Sequence, residues 1–120
     1  MLNLDTHILI RALQGSITPR EQEILQEDGA WCISAIVLWE ISKLHQLGRI
    51  EFGLNHPPLV ESLEQIEVVP VNHLVCRSLA SLDFQSDPAD EIIAATSLAY
   101  QIPLLTRDRR ILTSSVLLFP

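Results

Sequence analysis

Four carboxylates, Asp5, Glu40, Asp90 and Asp108, stand far apart along the chain, each at or near a junction between an apolar run and a helical pattern. Acidic side chains gathered by a fold repel one another unless a divalent cation holds them together. Their placement therefore points to metal-dependent chemistry. Each also has an ordinary structural job open to it. Asp5 can cap the helix that begins at Thr6. Asp90 falls at the third position of a helix opened by Asp87-Pro88, where a negative charge meets the helix dipole. Asp108, in Thr106-Arg107-Asp108-Arg109-Arg110, fits a surface turn with solvated charges.

Glu40 is more telling. At about 100° per residue, Ile36, Val37, Ile41, Leu44 and Leu47 fill one broad arc of a helix, with Ser42, Lys43, His45 and Gln46 opposite. Glu40 falls inside the apolar arc, roughly 40° from Ile36 and from Leu44. A buried, unpaired carboxylate costs several kcal/mol, so that position asks for a cation or strong donors. The plain alternative is an exposed Glu40 paired with Lys43 three residues on, worth a few tenths of a kcal/mol.

The elements that must carry these groups alternate. Residues 1–5 read as a buried strand and 6–14 as a helix. Thr18-Pro19-Arg20-Glu21 has the form of a capping box with Pro at the first helical position, opening a helix to about residue 27 that Gly29 stops. Residues 30–33 give a second strand, and Ser34 caps a helix that ends at Gly48. Pro57-Pro58 starts another helix, and 67–71 form a third strand despite Pro70 near its end. Helices over 72–82 and 87–101 follow, then strands at 104–106 and 116–119. Strands that are apolar throughout, set between helices, predict a parallel sheet covered on both faces. Ligands of such sheets bind beyond the carboxyl ends of the strands. Asp5 and Asp108 would both point into that crevice.

The totals fit one α/β domain spanning residues 1–120, with 48% apolar and 19% charged residues. Cys32 and Cys76 lack any zinc-like spacing and read as reduced, buried thiols of a cytoplasmic protein. No run is long enough to cross a bilayer, and the start lacks the features of a signal peptide, so no membrane partner is expected. A formal charge of −7 excludes a broadly basic, non-specific nucleic-acid binder.

The sequence resembles the PIN domain, and within it the VapC-type toxins of toxin–antitoxin pairs. The resemblance rests on Leu4-Asp5-Thr6-His7, on Ser34 to Glu40 with Ile41, and on Asp87-Pro88-Ala89-Asp90 leading into Ile92-Ile93-Ala94-Ala95-Thr96. Leu105-Thr106-Arg107-Asp108 with Arg109-Arg110-Ile111 completes it. It implies a three-layer α/β/α sandwich and a ribonuclease using Mg²⁺ or Mn²⁺. Asp5, Glu40, Asp90 and Asp108 match the family's acidic positions. Asp5, Asp108 and then Asp90 are the expected metal ligands, with Glu40 acting through a water or as a further ligand. Asp87 is an auxiliary acid, and Thr6 and Thr106 orient the cluster. The resemblance also implies an RNA substrate, an antitoxin partner and a homodimer. Trp39, Leu47, Ile50 and Phe52 are compatible with such an interface, and Trp31 reads as core. Glu91 and Ser86 replace basic residues common in relatives and make the rim less basic. Arg107, Arg109 and Arg110 are candidate RNA contacts that compensate, with Arg11, Lys43 and Arg49 as further candidates.

Two other readings remain. One keeps the PIN fold as a catalytically weakened binding scaffold. The other is a receiver-type signalling domain, which needs an acidic pair after the first strand and a Lys after the last. Here the first strand offers Asp5 alone, and the only Lys is Lys43.

Overall fold

A computed structural model describes all 120 residues. Four strands, β1 (Leu2–Leu4), β2 (Trp31–Ser34), β3 (Glu67–Val69) and β4 (Leu104–Leu105), form one sheet in the order β3-β2-β1-β4. All pairings are parallel, with Asn3 opposite both Cys32 and Leu104. Helices α1 (Thr6–Leu13), α2 (Pro19–Asp28), α3 (Ala35–Gln46), α4 (Pro57–Leu63), α5 (His73–Ser78), α6 (Pro88–Tyr100) and α7 (Arg109–Leu112) flank it in a three-layer α/β/α arrangement. The chain moves outward from β1 to β3, then returns to lay β4 on the other side of β1. That reversal opens a crevice at the carboxyl ends of β1 and β4, where ligands of open α/β sheets bind.

Local chemistry explains the boundaries. The Thr18 hydroxyl accepts from the Glu21 N–H at 3.1 Å, and the Glu21 carboxylate accepts from the Thr18 N–H at 2.9 Å, closing the expected capping box. Gly29, at φ 71°, ends α2 in the left-handed conformation that glycine adopts freely. Pro88 opens α6 at a position whose N–H has no partner to lose. The core joins Leu2, Leu4, Ile33 and Leu104 of the sheet to Ile8, Val37, Ile41, Leu59, Ile93 and Ile111 of the helices.

Three expectations are corrected. Residues 116–119 are not a strand; only the Leu104 N–H reaches across, to the Leu118 carbonyl at 2.9 Å. The Ser114 hydroxyl oxygen instead accepts from the Val116 and Leu117 N–H groups, while Asp83 binds Ser114 and Ser115. These side chains satisfy the donors that a ladder would have used. The surface turn open to Asp108 as its ordinary alternative is instead the start of α7, where Asp108 is the N-cap. Cys32 is buried, which pushes its thiol up to about 11, but Cys76 is exposed. Leu47 leaves the core: of α3 only Val37 and Ile41 are fully covered, and Leu47 is exposed.

Candidate active site

Asp5 follows β1 directly, and its own N–H donates to the Leu105 carbonyl of β4 at 3.1 Å. The side chain is 3% exposed. One oxygen accepts from the Thr6 N–H at 2.7 Å and the other from the Thr106 hydroxyl at 2.6 Å. The Thr106 hydroxyl oxygen in turn accepts from the Asp108 N–H at 3.0 Å. One threonine thus couples the first acid to the loop that carries the last. Burial raises the Asp5 pKa, and the nearby Asp108 charge adds to this; the Thr106 and Thr6 donors and His7 oppose it.

Glu40 is half-buried, and the Thr6 hydroxyl donates to its carboxylate. Lys43 makes no ion pair with it. The apolar-arc position therefore turns Glu40 toward α1 and the neighbourhood of Asp5. Asp90, also half-buried, accepts from the Ser86 hydroxyl at 3.1 Å. Its pKa is pushed up to about 6, first by burial, then by the charges of Asp5, Glu40 and Asp108, against the Ser86 bond. Asp87 holds the N-cap position of α6 without a side-chain capping bond, which leaves its carboxylate free. Asp108 caps α7, one oxygen accepting from the Arg110 and Ile111 N–H groups at 2.8 and 3.1 Å.

Glu40, Asp87, Asp90 and Asp108 line a cavity of about 540 Å³ together with His7, Arg11 and Arg49. Asp5 lies buried beside it, close enough for its charge to act on Asp90. A more apolar cavity of about 260 Å³, walled by Leu9, Leu13, Trp31 and Ile66, contains no titratable group and offers no chemistry.

The sequence pattern that defines the PIN domain matches residues 3–114. The chain belongs to the PIN-domain family. Solved structures with this fold include VapBC2 from Rickettsia felis bound to a DNA fragment from its promoter, at 18% identity and TM-score 0.78, covering 100% of this chain and 98% of that one. FitAcB from Neisseria gonorrhoeae matches at 23% identity and TM-score 0.71, over 100% and 97% of the two chains. A toxin–antitoxin complex from Klebsiella pneumoniae matches at 19% and 0.67, over 90% and 87%. No curated protein matches the chain.

In this PIN domain the acids are gathered, but no three His, Cys, Asp or Glu side chains close into a compact ion cage. The donor set nonetheless suits a hard cation. Its acids offer carboxylate oxygens, and burial, followed by the charges of Asp5, Glu40 and Asp108, has raised the pKa of Asp90. Mg²⁺ keeps several waters and needs only one or two carboxylates, so an open arrangement fits it better than a closed cage.

Of the candidate basic residues, Arg107, Arg109 and Arg110 lie outside the cavity lining, whereas Arg11 and Arg49 are part of it. Arg107 forms a paired contact with Glu21, both bonds at 2.6 Å, and is committed to α2. Arg110 donates to the Gln85 carbonyl at 3.3 Å, and Arg109 is exposed. Sequence reasoning also missed Asn3, which is fully buried and donates to Ser97 at 2.9 Å and to the Ile93 carbonyl at 3.2 Å, tying β1 to the helix that carries Asp90. A buried Asn in an apolar strand was the available signal.

Proposed function

We propose that this protein is a metal-dependent endoribonuclease and the toxin of a toxin–antitoxin pair. The observation that carries the reading is the convergence of Glu40, Asp87, Asp90 and Asp108 on one cavity, beside Asp5, at the sheet's reversal point. Asp5, Asp90 and Asp108 would hold Mg²⁺ or Mn²⁺, with Glu40 and Asp87 at its margin. When bound, such an ion acidifies water for attack on phosphorus and neutralises charge on the departing oxygen. The chain's own residues set the stage. Thr106 and Thr6 fix the Asp5 and Glu40 carboxylates by donating to them, and Ser86 does the same for Asp90. Arg11 and Arg49 offer the cavity's guanidinium charge to a substrate phosphate.

The partners follow from the likeness to antitoxin-bound structures and from the sequence resemblance: RNA as substrate, a small antitoxin that covers the site, and a second copy of the chain. The absence of a membrane-length apolar helix suits a cytoplasmic place of action. The test is incubation of the purified protein with mixed cellular RNA, with Mg²⁺, Mn²⁺ or chelator, beside Asp5→Asn. Cleavage that needs the ion and vanishes in the variant is expected. Equal cutting by the variant, or cutting indifferent to chelator, would sink the mechanism. A protein that binds RNA but cuts none is the scaffold.

A further inference from the structure

Trp39 is 56% exposed, which with Leu47 makes it the most exposed of the large apolar residues. It stacks on no other aromatic ring, and its indole N–H has no partner, whereas the Trp31 indole donates to the Leu25 carbonyl at 3.0 Å. Trp39, Lys43 and Leu47 follow one another at four-residue steps, so they share one stripe of α3. The next stripe holds Glu40 and Leu44, which face the acidic cavity. Gly48, at φ 71°, turns the chain so that the Arg49 N–H donates back to the Leu44 carbonyl at 2.9 Å. That turn brings Arg49 to the same side.

These residues line a second cavity of about 250 Å³, whose further walls are Pro88 and Ala89 of α6. Glu40, Leu44, Arg49 and Asp87 belong to both cavities, so the two are continuous. An occupant of one lies against an occupant of the other. The volume is somewhat below the roughly 300–1,000 Å³ of pockets for drug-sized ligands, which suits one planar ring system. Lys43 and Arg49 form no ion pair, although the chain has 15 acids to its 8 lysines and arginines. Two free cations beside an unstacked indole suit a base with its phosphate. An apolar protein surface would have to bury both charges without partners.

We propose that Trp39, Lys43, Leu47 and Arg49 form a nucleotide subsite next to the acidic cavity, in which Trp39 stacks an unpaired base and Lys43 and Arg49 take the adjoining phosphate. The subsite rests on the nuclease reading and deepens it, since it selects single-stranded RNA with a base free to leave its stack. It carries no sequence code, because every base has a face to stack.

Binding is measured by fluorescence anisotropy with a labelled single-stranded oligoribonucleotide of all four bases, in chelator and in the Asp5→Asn background, where cleavage is expected to be absent. Trp39→Ala is expected to weaken binding about tenfold, and Trp39→Phe by less than about threefold, in keeping with a base–aromatic stack. Lys43→Gln lowers the steepness of the salt dependence by about one ion. A series of oligonucleotides with one abasic position each identifies the stacked base. Its removal weakens binding to the parent protein and changes nothing further in Trp39→Ala. Abasic costs that are equal in the two proteins at every position overturn the subsite. So does an unchanged affinity in Trp39→Ala whose sedimentation shifts from dimer to monomer, since that face then belongs to a second copy. Binding indifferent to Trp39 with cleavage still dependent on Asp5 rejects the subsite alone. No RNA binding and no cleavage by the unaltered protein reject both readings.

Discussion

Thr106 sits between two acids: its hydroxyl donates to Asp5 and accepts from the Asp108 N–H. Thr106→Val keeps the shape and removes the donor, leaving one oxygen of a buried carboxylate without its partner. Groups that orient metal ligands typically cost 10–100-fold in metal affinity or activity when lost. RNA cleavage by Thr106→Val is therefore expected to fall at least about tenfold, with a higher ion concentration for half-maximal rate, and Thr106→Ser should restore most of it. A valine variant with unchanged ion dependence would remove Thr106 from the orienting role. The gathering of the acids was legible from their joint placement at strand and helix junctions, and for Glu40 from its apolar arc, although Asp5 taken alone reads as the helix cap that it also is. Their donors were harder to read. Ser86 stood out only as a missing basic residue, yet it is a hydrogen-bond donor to Asp90. Among the arginines, Arg11 and Arg49 stood only as secondary candidates, and that they rather than Arg107 line the cavity was hard to read, since a flexible, charged side chain takes its direction from neighbours distant in sequence.

Arg107 shows this at the level of elements. Glu21 closes the capping box of α2 and also takes both bonds from Arg107, joining α2 to the loop that leads to Asp108. The Arg107 bonds hold the Glu21 carboxyl at about 2, well below its ordinary value. Arg107→Ala leaves a nearly buried carboxylate short of its donors, at a cost of about 1–3 kcal/mol, or several degrees in Tm for a domain of this size. Thermal denaturation should show that loss, while KM for RNA stays near its original value. A raised KM with an unchanged Tm would return Arg107 to the RNA-contacting set. Strand and helix starts were readable because their signals are local: the Thr18–Glu21 box, Pro88 at the start of α6, Gly29 past the end of α2. The Glu21–Arg107 and Asn3–Ser97 links span 86 and 94 positions, and no local pattern encodes them. The absent strand at 116–119 has the same origin, since Asp83 organises Ser114 and Ser115 from 31 and 32 positions away.

Across the whole molecule the charge is −7, and part of that excess is concentrated in one crevice. Its acids bind protons more tightly when folded: Asp90 is raised from 3.8 to about 6, and Asp5 is raised as well. A carboxyl with a raised folded pKa stabilises the fold fully below its unfolded value, and that contribution is lost as pH climbs through the folded value. Glu21 runs the other way, its stabilisation complete above about 4.5 and lost only as pH falls toward 2. Between pH 7 and pH 5 Glu21 is therefore constant, and the crevice acids set the slope. Without divalent ions the protein should melt at a higher temperature at pH 5 than at pH 7, and Asp90→Asn should flatten the difference. If the crevice holds Mg²⁺ or Mn²⁺ as proposed, the ion would take the place of the protons, and either should raise Tm at pH 7, adding about 2.7 kcal/mol of stability at a hundredfold excess over Kd. At pH 5 the rise should shrink, because protons compete for the same oxygens. Scanning fluorimetry in chelator and in each ion, at both pH values, measures all six states. A chelated protein that melts lower at pH 5 than at pH 7, or an ion-induced rise equal at the two, would show that the crevice acids do not act as one ion-binding cluster.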